Sequence, residues 1–336
     1  MSGSVVAVFG ATGRTGRFVV SELVRRSMTP IAVGRDSLKL VECGFAERAI
    51  EVRRATVDDA DSLDRAFEGV AAVINCAGPF LDTAHAVASA AMRAGVHYLD
   101  VTAEQASAQA TLGTFDEAAR RADVLVVPAM GFFGGLADLL VTAAMGSWDV
   151  ADDVRIGIAL DNWHPTLGTR RTGQRNTARR VVVSSGRLVA APRPAVEMEW
   201  HFRAPFARQR VVQAPLSEVI LIARHILTRE LHTYLSRNAL RDIQDPTTPP
   251  PTPADGWGRS AQRFRVEAHI RRGSRARRVA AQGRDIYASS APLVCEAAQR
   301  ILEGRARGTG SRAPGEIFDA TALLEGTGLA LEGIGD

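Results

Sequence analysis

The stretch Val5-Val6-Ala7-Val8-Phe9-Gly10-Ala11-Thr12-Gly13-Arg14-Thr15-Gly16 decides the class of fold. Its first five residues are apolar and mostly β-branched, which predicts a short buried strand, and the pattern that follows predicts a helix. The glycines allow a tight turn in which backbone N–H groups approach a pyrophosphate at the positive end of that helix. Strand, glycine loop and helix in this order indicate a dinucleotide-binding site. The residues expected to contact the cofactor here are Gly10, Thr12, Gly13, Arg14, Thr15 and Gly16.

Residues 1–150 alternate short apolar runs with helical patterns, as parallel βαβ units do. The predicted strands are 5–9, 30–33, 51–55, 72–75, 96–100 and 124–127, and the predicted helices are 15–26, 37–46, 61–68, 84–94 and 104–121. The short crossovers predict an α/β fold with a doubly wound parallel sheet of the Rossmann type, covered by helices on both faces.

The pattern changes after residue 150. Strands are predicted at 154–160, 181–183, 197–202, 230–235, 264–270 and 277–282, with one helix at 217–226, so we expect a mostly antiparallel sheet. Five prolines among residues 245–255 predict a stiff, solvated loop. A helix predicted at 291–302 should pack against the first domain. The expected domains are 1–150, completed by 285–336, and 151–284, which would serve substrate binding and dimerisation.

Composition excludes several classes of protein. The 336 residues are 46% hydrophobic and 23% charged, as in a globular protein with a sizeable core, and the three cysteines form no CxxC pair. We therefore expect no disulfide framework and no metal site, and a reducing, cytoplasmic environment. No signal peptide or membrane segment is expected, because the apolar stretch 124–146 is interrupted by Pro128 and Asp138. Lys39 is the only lysine, which excludes a catalytic Tyr-x-x-x-Lys pair.

Basic residues are concentrated in the second half of the chain. Residues 1–150 carry 13 basic and 18 acidic side chains, whereas residues 151–336 carry 28 and 19. Two arginine-rich runs, 169–180 and 263–278, are interpreted first as solvated faces. Docking of an acidic carrier protein, binding of an anionic substrate and binding of nucleic acid are the alternatives. Nucleic acid is the least favoured partner, because few aromatic residues accompany the arginines.

The end of the second strand favours NADP(H) over NAD(H). An NAD-preferring site usually has a carboxylate there, whereas this chain has Gly34 and Arg35, and a guanidinium can pair with a 2′-phosphate. Arg14 and Lys39 are expected to assist. Two further groups are expected to line the cofactor, one after the third strand and one after the fourth: Asp58, and the run Cys76, Ala77, Gly78 and Pro79.

Several of these segments together resemble the saccharopine dehydrogenase-like oxidoreductases. They are Gly10–Gly16, Gly34-Arg35, Ala77-Gly78-Pro79-Phe80, His97-Tyr98-Leu99-Asp100-Val101-Thr102-Ala103-Glu104, Pro128-Ala129-Met130-Gly131-Phe132 and Gly283-Arg284-Asp285-Ile286-Tyr287. The chain departs from the family at Ala103, where a glycine is usual, and at 133–136, where Phe-Gly-Gly-Leu replaces Asp-Ser-x-Pro. The resemblance covers residues 4–145 well and 283–330 loosely. It implies a Rossmann domain, an inserted α+β domain and NADP(H)-linked chemistry on a C=N or C=C bond.

The catalytic candidates are Tyr98, Asp100, Glu104 and His164. The first three follow the fifth strand, at the edge of the sheet where ligands bind. Asp100 or Glu104 can orient a cationic imine, and Tyr98 or His97 can donate a proton. The alternative, which is favoured, is that Asp100 and Thr102 cap the next helix and Glu104 lies in its first turn.

These features lead to three functional hypotheses. The first is an NADPH-dependent reductase of a C=N or C=C bond in a small biosynthetic intermediate, acting as a homodimer. The second is a non-catalytic NADP(H) sensor or scaffold. The third is a reductase whose substrate is attached to an acidic carrier protein.

Overall fold

A computed structural model describes residues 4–334 of the chain. Its first sheet is parallel throughout and contains β1 (Val5–Phe9), β2 (Thr29–Gly34), β3 (Glu51–Arg54), β4 (Ala72–Asn75), β5 (His97–Asp100), β6 (Leu125–Val127) and β15 (Gly310–Ser311). The strand order is β15-β6-β5-β4-β1-β2-β3. The order reverses between β1 and β4, which is the point where ligands bind in doubly wound sheets. The predicted Rossmann-type sheet is confirmed, and β15 is an addition.

The helices that cover this sheet are amphipathic or wholly apolar. They are α1 (Arg14–Arg25), α2 (Ser37–Glu42), α3 (Ala60–Ala66), α4 (Phe80–Ala94), α5 (Gln105–Arg121) and α6 (Gly135–Met145). Helix α2 is shorter than the predicted 37–46, and a 3-10 turn, Ala46–Arg48, follows it. The apolar stretch 124–146 divides into β6, a glycine-containing loop and α6. Within residues 4–334, no helix is long and apolar enough to cross a membrane.

The second sheet is mixed. Its strands are β7 (Val150–Leu160), β8 (Val181–Ser184), β9 (Arg187–Ala190), β10 (Glu197–His201), β11 (Arg208–Gln213), β12 (Leu227–Ser236), β13 (Arg263–Arg272), β14 (Arg275–Arg284) and β16 (Ala330–Glu332). The order is β10-β11-β12-β7-β13-β14-β16, with the β8–β9 hairpin attached to β12. Only β7 and β12 pair in parallel among these strands, so the prediction of a mostly antiparallel sheet is confirmed.

The remaining helices are α7 (Leu167–Arg175), α8 (Ser217–His225), α9 (Arg237–Gln244), α10 (Ile286–Leu302), α11 (Pro314–Ile317) and α12 (Ala320–Glu325). Helix α10 packs along α1, as predicted for the C-terminal helix. Cys295 on α10 lies against the carbonyl of Val19, and Arg26 pairs with Glu296. Helix α10 therefore closes the first sheet on the face that α1 covers.

The interpretation of the arginine-rich run 263–278 as a solvated face is wrong for two of its members. Arg265 is fully buried between the carboxylates of Glu267 and Glu332, at 2.5 and 2.6 Å. Arg277 stacks over the Trp148 ring at 4.2 Å and donates to the carbonyl of Ala144. Charge pairing and aromatic stacking hold both guanidinium groups inside the fold. The tip of the β13–β14 hairpin, with arginines 271, 272 and 275, is exposed.

Candidate functional site

The glycine loop joins β1 to α1 by very close backbone contacts. Gly10 has φ +82°, and the N–H groups of Gly10 and Ala11 both donate to the carbonyl of Val33 on β2. A Cβ atom at Gly16 would lie 2.3 Å from the Gly10 carbonyl oxygen. Helix α1 can therefore begin directly at the loop only because residue 16 has no side chain.

The N-terminus of α1 fits an anionic group. Gly13 precedes the helix and supplies no side-chain cap, and the first turn contains no acidic residue. The first N–H groups of the helix therefore remain available to a ligand. Arg14 Nε is buried and has no hydrogen-bond partner within residues 4–334. Thr12 and Thr15 are half-buried beside it. These groups fit the pyrophosphate of a dinucleotide.

The end of β2 has exposed basic side chains, and the nearby carboxylate of Asp36 is not available to a ligand. Arg35 and Lys39 are exposed. Asp36 turns toward its own helix, where its Oδ1 accepts from the N–H groups of Leu38 and Lys39 at 3.1 and 3.2 Å. The carboxylate is thus used as the N-cap of α2. The arrangement fits a 2′-phosphate better than a pair of ribose hydroxyls.

Asp58 lies at the surface after β3. Its Oδ2 accepts from the Thr56 hydroxyl at 3.4 Å, and its neighbour Asp59 is the N-cap of α3 through a bond from the Ser62 N–H. Contact of Asp58 with the adenine remains a prediction.

The loop after β4 lies directly against the glycine loop and the second half of the chain. A Cβ on Gly10 would be 2.9 Å from Ala77, and one on Gly78 would be 2.8 Å from Thr172 Oγ1 on α7. Burial raises the pKa of the Cys76 thiol well above its usual range, so it is not a poised nucleophile. Helix α7 therefore covers the segment Cys76–Pro79, where the cofactor is expected to pass.

Tyr98 and Asp100 form a buried network behind this edge. Tyr98 OH donates to Asp100 Oδ2 at 3.0 Å and lies 3.3 Å from Asn75 Nδ2. Asp100 Oδ1 accepts from the N–H groups of Thr102 and Ala129 at 2.9 and 2.8 Å. Asp100 therefore ties the loop after β5 to the loop after β6 and does not cap α5. Burial raises its pKa to about 6, against the lowering effect of these hydrogen bonds.

Because the pKa of Asp100 is raised in the folded protein, we expect this side chain to make the fold less stable as pH rises. Its pKa in an unfolded chain is near 3.8, so the unfolded chain loses the proton first, and stability falls as pH rises from 4 through 6. The loss from this group is about 3 kcal/mol. The amide side chain in D100N keeps the acceptor Oδ1 and cannot ionise. Urea unfolding at pH 4, 5, 6 and 7 should show the free energies of wild type and D100N diverging by that amount; parallel pH curves would contradict it.

Glu104 precedes α5 and is 1% exposed. Its Oε1 accepts from the N–H of Phe80 at 2.7 Å, in the first turn of α4. Its Oε2 is buried without a hydrogen-bond partner in the described part of the chain. Burial raises the pKa of Glu104, while the hydrogen bond from the Phe80 N–H lowers it. A carboxyl group with one uncommitted oxygen, near the ends of β4 and β5, can hold a proton or face a cationic nitrogen.

His164 and Tyr287 line a cavity of about 90 Å³ at the start of α7, together with Asn162, Pro251, Thr252, Ala254, Ser260, Ala261 and Gln262. The Tyr287 hydroxyl lies 3.1 Å from Trp163 Nε1 and 3.0 Å from Thr169 Oγ1. It thereby fixes α7 to α10. His164 therefore lines a cavity formed by the second half of the chain, whereas Tyr98 and Asp100 lie inside the first sheet.

One ion pair links the glycine loop to the C-terminal half, and sequence reasoning missed it. Arg14 Nη2 lies 2.6 Å from Asp285 Oδ2, and Asp285 is fully buried at the N-cap of α10. Arg14 also donates to the carbonyls of Gly258 and Pro251 at 3.1 and 3.4 Å. The proline-rich loop therefore lies against the glycine loop, and the prediction that it is simply a solvated loop is incomplete.

Three other polar side chains lie elsewhere. His97 is at the amino end of β5, where its Nδ1 accepts from the Leu125 N–H, so the expectation of a proton donor at the carboxyl edge is wrong for His97. His201 is exposed on β10. Asp138 binds His225 Nε2 and the Gly315 N–H, both at 2.7 Å, and joins α6 to α8 and α11.

Comparison with known proteins agrees with this geometry. Residues 6–127 match the family model of the saccharopine dehydrogenase NADP binding domain. The chain is 28% identical over 142 residues to an Arabidopsis thaliana protein described as a probable mitochondrial saccharopine dehydrogenase-like oxidoreductase, a match covering 38% of this chain and 31% of that protein. It is 32% identical over 144 residues to a lipid droplet localized protein of Caenorhabditis elegans, covering 39% and 34%. The matches thus span about a third of these relatives.

The whole fold has a relative among solved structures. Apo histidine-tagged saccharopine dehydrogenase (L-Glu forming) from Saccharomyces cerevisiae superimposes with a TM-score of 0.67 and 10% identity. The match covers 98% of this chain and 99% of the yeast chain. At this identity the likeness shows a shared fold of two sheets.

Proposed function

Since residues 6–127 match the family model of the saccharopine dehydrogenase NADP binding domain, we propose that this chain is an NADPH-dependent oxidoreductase. The proposed reaction is reduction of a C=N or C=C bond in a small biosynthetic intermediate. The observation that carries the proposal is that an NADP-type glycine loop and Glu104, a buried carboxyl group with an uncommitted oxygen, occur on the same sheet. Both lie at the carboxyl edge of the first sheet, near the point where its strand order reverses.

The residues have separable roles in this proposal. The N-terminus of α1 and Arg14 hold the pyrophosphate, and Arg35 pairs with the 2′-phosphate. NADPH, when bound, supplies the hydride. Glu104 faces the acceptor, where Oε2 holds a proton for the reduced atom or attracts an iminium nitrogen, and burial favours its protonated form. Helix α7 lies against the loop after β4 at Gly78, and the rings of Phe133 and Trp163 pack with their centroids 5.1 Å apart.

Transfer of deuterium tests the proposal. The purified protein is incubated with NADPH deuterated at one or the other C4 position and with a panel of cyclic imines, enamines and enoyl compounds. Stereospecific appearance of deuterium in one product is the expected result. If NADPH binds and no member of the panel gains deuterium from either form, the sensor alternative is favoured instead.

Arg35 should determine the preference for the phosphorylated cofactor. In R35A the dissociation constant of NADPH should rise by about 10- to 100-fold, because a charge-assisted bond to the 2′-phosphate is lost. The dissociation constant of NADH should stay within about twofold of wild type. Isothermal titration of both cofactors checks this, with R65A, an exposed arginine on α3, as the control. Equal weakening of NADH and NADPH would argue against this role.

Two observations favour a non-catalytic NADP(H) sensor as the second candidate. The cavity beside His164 has a volume of about 90 Å³, well below the roughly 300 Å³ of small ligand sites. The polar pattern expected at 133–136 is replaced by Phe133, whose ring lies 4.8 Å from that of Phe132. Docking of an acidic carrier protein at arginines 271, 272 and 275, a homodimer and a cytoplasmic location all remain predictions.

A further inference from the structure

The proline-rich loop between α9 and β13 presents one unusual side chain. Trp257 is 75% exposed, whereas Trp148, Trp163 and Trp200 are 8%, 7% and 3% exposed. Within residues 4–334 the Trp257 indole stacks on no other aromatic ring. An indole contributes a large apolar area, so its exposure leaves that area for a ligand.

The turn that carries Trp257 is held rigidly. Asp255 Oδ1 accepts from the N–H groups of Trp257 and Arg259, both at 3.0 Å, and Asp255 Oδ2 accepts from Arg259 Nε at 2.8 Å. The N–H of Ala254 donates to the carbonyl of Arg259 at 2.7 Å. The indole is therefore displayed from a closed turn, so less conformational entropy is lost when it binds a ring.

The same turn contacts the glycine loop through residues on both sides of Trp257. Arg14, the first residue of α1, donates to the carbonyl of Gly258 at 3.1 Å and to that of Pro251 at 3.4 Å. The N–H of Ser260 donates to Asp285 Oδ2 at 2.7 Å, and this oxygen also holds Arg14. Trp257 is thus the residue before a direct contact of the phosphate-binding arginine. The turn that displays the indole is therefore in direct contact with the first residue of α1.

We propose that Trp257 stacks on an aromatic heterocycle of the bound dinucleotide, either adenine or nicotinamide, and that the proline-rich turn forms the outer wall of the cofactor site. The inference rests on the NADP(H) binding that the proposed function requires. The Nη atoms of Arg14 hold the turn. Its buried Nε has no partner among the described residues and is available to the dinucleotide. Stacking on tryptophan suits either ring, because each has a π-face.

The test compares dissociation constants for wild type, W257A and W257F. The ligands are NADP⁺, 2′,5′-ADP and nicotinamide mononucleotide, measured by isothermal titration. In W257A the dissociation constant for NADP⁺ should rise by about 5- to 150-fold, and W257F should retain most of the affinity. L227A, which removes a 70% exposed side chain on β12, is the matched control and should bind as wild type does. Weaker binding of 2′,5′-ADP by W257A assigns the stack to adenine; weaker binding of NADP⁺ and of nicotinamide mononucleotide, with 2′,5′-ADP unchanged, assigns it to nicotinamide.

A fluorescence measurement gives a second readout that needs no truncation. NADP⁺ should quench wild-type tryptophan emission, and W257F should lose most of that quenching. Unchanged NADP⁺ affinity in W257A, or full quenching in W257F, overturns the inference. Failure of the wild-type protein to bind NADP⁺ overturns the proposed function as well. Deuterium transfer by a W257A protein that binds NADP⁺ as tightly as wild type overturns only the stack.

Discussion

Replacing Gly16 with alanine should raise the dissociation constant of NADPH by about 100-fold and lower stability by about 1–3 kcal/mol. The new Cβ would lie 2.3 Å from the Gly10 carbonyl oxygen and 2.8 Å from Ala11 Cα. Both are backbone atoms, so no side-chain rotation relieves the overlap. The start of α1 must move away from the loop, and its N–H groups then no longer converge on the phosphates. Isothermal titration and urea unfolding of G16A measure the two effects.

Gly113 provides the control for this substitution. It lies in α5, and an added Cβ meets no atom within 4 Å outside its own helix in the described part of the chain. G113A should keep the cofactor affinity and gain up to about 1 kcal/mol, because alanine favours a helix more than glycine does. If G16A binds NADPH as G113A does, the close contact of α1 with the loop does not form the phosphate site.

Asp285→Ala should destabilise the fold by about 3–5 kcal/mol, the cost of breaking a buried ion pair from one side. The two carboxylate oxygens of Asp285 accept from Arg14 and from the N–H groups of Ser260, Tyr287 and Ala288. Without them Arg14 keeps its charge in a largely buried position, and α10 loses its N-cap. Urea unfolding monitored by circular dichroism measures the loss.

Two companion variants separate charge from conformation. Asp285 has φ +55°, which asparagine tolerates better than alanine, so D285N tests the ion pair with little backbone strain. Asp64 pairs with Arg93 at 2.7 Å on the surface, and D64A should cost less than about 1 kcal/mol. A loss in D285A no larger than that in D64A would show that the Arg14–Asp285 pair does not hold the two halves together.

The local sequence pattern was sufficient to predict strands β1 to β6 of the first sheet. Strands β1 to β6 begin and end within about one residue of the predicted positions. Strands β1, β2, β4 and β6 are short apolar runs buried in a parallel sheet, whereas the edge strand β3 (Glu51–Arg54) is mostly exposed. Strand β15 was not predictable, because two residues carry no pattern, and Gly310 and Ser311 become a strand only by pairing with β6.

Helix α7 and the long-range contacts of Glu104 and Asp285 could not be predicted from the local sequence pattern. Helix α7 has no buried residue, so it has no apolar periodicity to recognise, and its arginines were interpreted as a solvated run. The capping of α4 by Glu104 joins residues 24 positions apart, and the pair of Arg14 with Asp285 joins residues 271 apart. Such contacts depend on tertiary packing. The resemblance of the Gly283–Tyr287 segment to a known family was the one signal that pointed to Asp285.

The packing of α10 along α1 has a consequence for how the protein is made. A ribosome releases β1 to β6 first, but part of the apolar surface of α1 and one edge of the sheet are covered by α10 and β15, which follow more than 150 residues later. Contacts of such long sequence separation slow folding and leave apolar surface exposed while the chain grows. We therefore expect the first half of the chain to expose apolar surface until β7 to β14, which lie between β6 and β15 in the sequence, have also been made.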